Sequence, residues 1–165
     1  MKNIAVLFAT VFAIVLGLFF GTMETAFAIT WNWNYSGTGV AASGTFITND
    51  TPDELGFYLI IEIIGTRNGE TITGLQPAGT PTPGNEPFSV DNLISLNNQQ
   101  LTGDGFGYST ASGSYSSTFF ADFLPTPGYL EFFSAPAIGN DFTDVGSENS
   151  ELPMSFSATI IKWEG

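Results

Sequence analysis

Beyond residue 28, apolar and polar residues alternate in short runs. In "TWNWNY", Trp31, Trp33 and Tyr35 fall on one side and Asn32 and Asn34 on the other. "VAASGTFIT" groups Val40, Ala42 and Phe46, and "MSFSATIIKW" groups Phe156, Ala158 and Ile160. In "GFYLIIEIIGT" the odd positions Phe57, Leu59, Ile61 and Ile63 make one wholly apolar face, opposite Tyr58, Glu62 and Thr66. "YSSTFFADF" aligns Tyr115, Phe119, Ala121 and Phe123, whereas "YLEFFS" leaves its inward face ambiguous. With "ETITGL" and the short "GFGYS", these runs make about eight strands. No segment in this region keeps a helical period for three turns, although the pattern admits one helical turn near Val90–Leu96. The expected fold is therefore all-β: a single-domain antiparallel β-sandwich or flattened barrel.

The punctuation between the runs agrees. "NDTPDE", "PAGTPTPGNEP", "GDG", "LPTPG" and "APAIGN" supply ladder breakers and unusual φ angles. Asn68-Gly69 is the strongest hairpin signal, because both central residues of a type I′ turn need φ > 0. A two-residue loop there sets Arg67 opposite Glu70 and Thr66 opposite Thr71. Arg67 is the only arginine in the chain. This register reads it as half of an exposed cross-strand pair, a register-fixing contact of about 0.2–1 kcal/mol.

The first 28 residues have a different character. Lys2 precedes an apolar run from Ile4 to Phe20, and Ala26-Phe27-Ala28 is a small-x-small cleavage box. Residues 1–28 read as a secretory signal peptide, and residues 29–165 as one β domain. Export follows, to the periplasm, cell surface or extracellular space. Removing the leader leaves two basic and fifteen acidic residues, so the net charge stays at −13. Such a charge disfavours nucleic acid and anionic membranes as partners. No second membrane anchor is visible after cleavage, and with no cysteine the domain is expected to rest on its core alone.

Chemistry is restricted further by the absence of histidine and cysteine from the sequence. Ser-His-Asp and Cys-His catalysis and histidine–cysteine zinc sites have no ligands to draw on. Paired carboxylates remain, with Glu62, Asp122 and Glu131 in strands as candidates for a glycosidase pair. Each also reads simply as an outward-facing strand residue. Calcium is the ionic alternative: Asp141, Asp144, Glu148 and Glu151 share one acidic loop, and Asp50, Asp53 and Glu54 share another. Neither matches a twelve-residue calcium loop, and a solvated acidic loop explains both. The stripe of Trp31, Trp33 and Tyr35 has two readings, a sugar-stacking platform if exposed and core if buried, with burial favoured.

"ASGTFIT", "IIGTRNGETITGL", "DNLI" and "GFGY" together resemble blocks of small exported bacterial all-β proteins of the PEP-CTERM-associated type. The resemblance implies cell-surface or exopolysaccharide biology and carries over no catalytic residues. This chain departs from the group in lacking its sorting tail, so membrane retention is not implied. The resulting expectation is an exported, non-enzymatic surface or extracellular-matrix protein, with polysaccharide or surface proteins as partners. A carbohydrate-binding module is the alternative, and a carboxylate-pair glycosidase the third reading.

Overall fold

The computed structural model describes residues 28–135 and 151–162. The leader through Phe27, and Asp141, Asp144 and Glu148, lie outside the described residues. Nine strands follow in order: β1 (Ile29–Gly37), β2 (Val40–Thr48), β3 (Phe57–Arg67), β4 (Glu70–Leu75), β5 (Leu93–Ser95), β6 (Phe106–Thr110), β7 (Tyr115–Ala121), β8 (Gly128–Ser134) and β9 (Leu152–Ile160). All pairings are antiparallel. Eight strands run round in the order β2-β1-β9-β8-β7-β6-β4-β3, and β3 pairs with β2 to close the barrel. β5 is an extra strand added to the start of β3.

The described residues contain no helix. The helical turn expected near Val90–Leu96 is replaced by β5. Asn92 takes a φ of 56°, a left-handed value that interrupts any right-handed turn and suits asparagine better than most residues.

Strands with one-sided alternation fall where the pattern puts them. Trp31, Trp33 and Tyr35 of β1 point into the barrel, and Asn32 and Asn34 face out. Val40, Ala42 and Phe46 of β2, and Phe156 and Ala158 of β9, complete that wall. Trp33 stacks on Phe46 at 5.1 Å between ring centroids, and Phe106 meets both edge-on. Each such pair adds about 0.5–1.5 kcal/mol beyond simple burial. At the rim, Trp31 donates its indole N–H to Thr48 Oγ1 at 3.0 Å, so its one polar atom is satisfied.

β3 departs from its expected phase. Thr48 pairs with Ile60 but Ile47 pairs with Glu62, so Ile61 is the extra residue of a β-bulge. The bulge flips the inward face in mid-strand. Tyr58 and Ile60 point in before it, and Ile63 and Arg67 point in after it. Leu59 and Ile61, expected in the core, are exposed, Ile61 by 55%. Beyond the bulge, β2 and β3 approach so closely at Gly44 and Gly65 that neither position has room for a Cβ.

β7 also reverses the expected face. Ser116 reaches a carboxylate inside the barrel, so alternation puts Ser116 and Thr118 inward and Ser117 and Phe119 outward. The aligned aromatics lie on the outer side, and Phe123, just past the strand, is exposed.

The β8–β9 ladder is short, spanning only Tyr129–Glu131 against Leu152–Met154. Farther along β9, the Gln100 side-chain amide takes the place of a neighbouring strand. It accepts from Ala158 N at 2.8 Å and donates to Ala158 O at 2.7 Å. That exchange satisfies backbone groups which the splayed strands would otherwise leave unpaired.

Candidate functional site

The Asn68-Gly69 hairpin forms as its residues predict, with φ values of 49° and 83° and with Arg67 paired to Glu70 and Thr66 to Thr71. The side chains do not follow the backbone pairing. Arg67 is only 8% exposed and turns into the barrel, where Nε donates to Glu131 Oε1 at 2.8 Å and Nη2 to Oε2 at 2.9 Å. Its guanidinium also lies over the Phe133 ring, 3.7 Å from the centroid. Glu70 instead accepts the backbone N–H of Ser112, and hydrogen bonding from the Ser112 hydroxyl, then from that N–H, holds its carboxyl below the usual range. The expected exposed Arg67–Glu70 ion pair is therefore replaced by a buried Arg67–Glu131 pair. The cause is strand phase: with Ile63 inward, every second residue after it, Gly65 and Arg67, faces in as well.

Glu131 is fully buried, and both oxygens of its carboxylate are hydrogen-bonded. Besides the two guanidinium bonds, Oε1 accepts from Ser116 Oγ at 2.7 Å and from the Tyr35 hydroxyl, with the Tyr108 hydroxyl at 3.5 Å. Tyr35 and Tyr108 are also hydrogen-bonded to each other. Five strands, β1, β3, β6, β7 and β8, thus converge on one carboxylate. It lies toward the barrel end that carries the turns at 38–39, 68–69 and 111–114. Burial opposes the charge on Arg67, but the hydrogen bonds and charge of Glu131 outweigh it and push the guanidinium above its ordinary value. The network is neutral and buried. Its chemistry is that of a register lock, since groups from four other strands are committed to one buried carboxylate.

The tyrosines give this lock a pH limit. Burial, then the neighbouring Tyr108 and Glu131, raise the Tyr35 phenol well above its ordinary value. Burial and Glu131 raise Tyr108 in the same direction. Both phenols stay protonated in the folded state while the unfolded chain ionises near pH 10, so the stability they contribute is complete below about pH 10 and falls above it. Each should cut the folding equilibrium constant up to tenfold per pH unit there. Urea unfolding at successive pH values checks this: the midpoint should fall steeply above pH 10, and less steeply in Tyr108→Phe. A flat midpoint would contradict the buried placement.

An open concavity lies elsewhere, on the outside of the barrel. It has a volume of about 290 Å³ and is lined by Asn85, Phe88, Ser89, Gly103, Asp104, Ser117, Phe119, Phe120, Asp122, Phe123 and Glu151. The outer face of β7 supplies the floor through Ser117 and Phe119. The proline-rich segment before β5 supplies one wall, the β5–β6 connection another, and the residues just after β7 the rim. Phe88 and Phe123 are 68% and 67% exposed, unusual for phenylalanine within a concavity. Around these apolar faces stand three carboxylates, an amide and two hydroxyls, and no basic residue.

The sequence candidates separate accordingly. Trp31, Trp33 and Tyr35 are sealed in the core, which is the favoured reading of the stripe, and present no stacking surface to solvent, so the alternative sugar platform has no exposed face there. Glu62 is exposed on β3, Glu131 is locked inside, and Asp122 lies at the groove, so these three do not share a site. Asp53 caps its own turn, accepting from Leu55 N and Phe57 N at 2.9 and 2.8 Å. Glu151, named with the acidic loop, lines the groove. Of the groove residues, Asp122 is a carboxylate-pair candidate in the sequence and Glu151 a calcium candidate; the rest come from separate segments with no contiguous motif. No family model, curated protein or solved structure matches this chain.

Proposed function

We propose that this is an exported, non-enzymatic, saccharide-binding β-barrel of the cell surface or extracellular matrix, and that the outer groove is its binding site. The observation that carries the reading is the pairing, within one concavity, of exposed phenylalanine faces with a ring of hydrogen-bonding groups. A pyranose has the same division, with C–H faces that pack on aromatic rings and equatorial hydroxyls that need acceptors. The groove volume suits one or two such rings and falls near the small end of ligand pockets, roughly 300–1,000 Å³. The interior supports the non-enzymatic part, since the Glu131 carboxylate is buried inside the barrel and held by Arg67, apart from the groove residues. Export is read from the leader and the cleavage box at Ala28.

A titration of the protein with a panel of oligosaccharides tests the reading, using Phe123→Ala and Phe88→Ala as groove variants. Both residues are mostly exposed, so each substitution should leave stability within about 0.5 kcal/mol of the parent. Each should weaken binding of a positive ligand by about tenfold, the equivalent of 1.4 kcal/mol. Absence of binding across neutral, cationic and anionic saccharides would reject the proposal.

A further inference from the structure

Resting on the saccharide reading, we infer that the groove selects a cationic saccharide: a polymer of amino sugars with free, protonated amines. Asp104, Asp122 and Glu151 all line the groove, all three are exposed, and no lysine or arginine stands among the lining residues. The cation nearest in kind is already used, because Arg67 is committed to Glu131 inside the barrel. Lys162 lies past the end of β9 and does not line the groove. The local field is therefore uncompensated, and the net charge of −13 reinforces it at longer range. A neutral glycan would use the aromatic faces and leave this field unanswered. A uronate or sulfated polymer would be repelled by it.

The distribution of the carboxylates argues for an extended ligand over a single ion. Among the described residues, no group of three or more carboxylates is placed to hold a metal ion. The three acids instead come from the β5–β6 connection, from the residue after β7 and from the residue before β9. Charges spaced along a groove match a ligand whose own charges repeat. The exposed rings of Phe88 and Phe123 suit the same ligand twice over. They pack against sugar C–H faces, and they attract an ammonium group within about 6 Å of the ring centre.

The test compares a glucosamine oligomer with its N-acetylated counterpart, a neutral glucan oligomer, a uronate oligomer and oligolysine. It is run at about pH 6, where carboxylates are ionised and amines protonated. The free-amine oligomer should bind at least about tenfold more tightly than the acetylated one. Added salt should narrow that gap as screening grows. Asp104→Asn/Asp122→Asn should remove most of the preference while retaining residual binding through the rings. Equal binding of the free-amine and acetylated oligomers would overturn this inference and leave the saccharide reading standing. Binding of no saccharide would remove both. Oligolysine binding more tightly than every saccharide, with loss in the same variant, would overturn it in favour of a cationic peptide.

Discussion

Arg67→Met should destabilise the barrel by about 3–5 kcal/mol, the usual cost of leaving a buried charge without its partner. In the native fold the guanidinium meets both oxygens of a fully buried glutamate. Methionine keeps much of the packing against Phe133 and removes all the charge, so the loss reports on the orphaned carboxylate. Arg67→Lys should fall in between, because an ammonium on a flexible stem cannot make the two-pronged contact. The double variant Arg67→Met/Glu131→Met should cost clearly less than the sum of its singles, since it removes both charges together. Glu70→Gln, across the same hairpin, should cost under about 1 kcal/mol, because that carboxylate sits at the surface. Urea unfolding followed by circular dichroism measures these variants and the Glu131→Met single that completes the comparison. A loss below about 1 kcal/mol for Arg67→Met would mean that the pair contributes no more than a surface ion pair does.

How much of this was legible depends on which residues carried the signal. β1, β2 and β9 could be read because each has one buried and one wet face, so that Trp31-Asn32-Trp33-Asn34-Tyr35 announces its own orientation. The hairpin at Asn68-Gly69 could be read because two consecutive positive φ angles need those residue types. β3 could not, since its isoleucines supply an apolar side chain on either face and nothing in the local sequence marks Ile61 as the bulge. The inward turn of Arg67 follows once that phase is known, but its partner lies 64 residues away and no spacing links the two. β8 was ambiguous for a physical reason: Leu130, Glu131 and Phe132 are all buried, so the strand has no wet face to alternate against. The groove was hidden in another way. It is assembled from four separated stretches, and Phe119 and Phe123 had the look of a core face.

Gly44→Ala should cost about 3 kcal/mol, the upper end of the usual range for overpacking. A Cβ placed there would sit 1.9 Å from the carbonyl oxygen of Ile64 and 2.6 Å from the Cα of Gly65. Both obstacles are backbone, so no rotamer change relieves the clash and the two strands must separate. They are the strands whose pairing closes the barrel, and that closure positions Ile63 and Arg67 for the interior. Gly65→Ala meets Ser43 O at 2.3 Å and should behave alike. The two together should cost less than their sum, since one separation of the seam accommodates both methyls. Gly69→Ala provides the contrast. Its Cβ would meet nothing within 4 Å, so only the φ of 83° resists it, and the loss should stay near 1 kcal/mol. Hydrogen exchange adds a local readout: in Gly44→Ala, amides along the β2–β3 ladder should lose protection before those of β7–β8. Equal loss in both ladders would mean that the seam opens only when the whole barrel does, whereas unchanged stability would mean that the close approach at Gly44 yields without opening the ring.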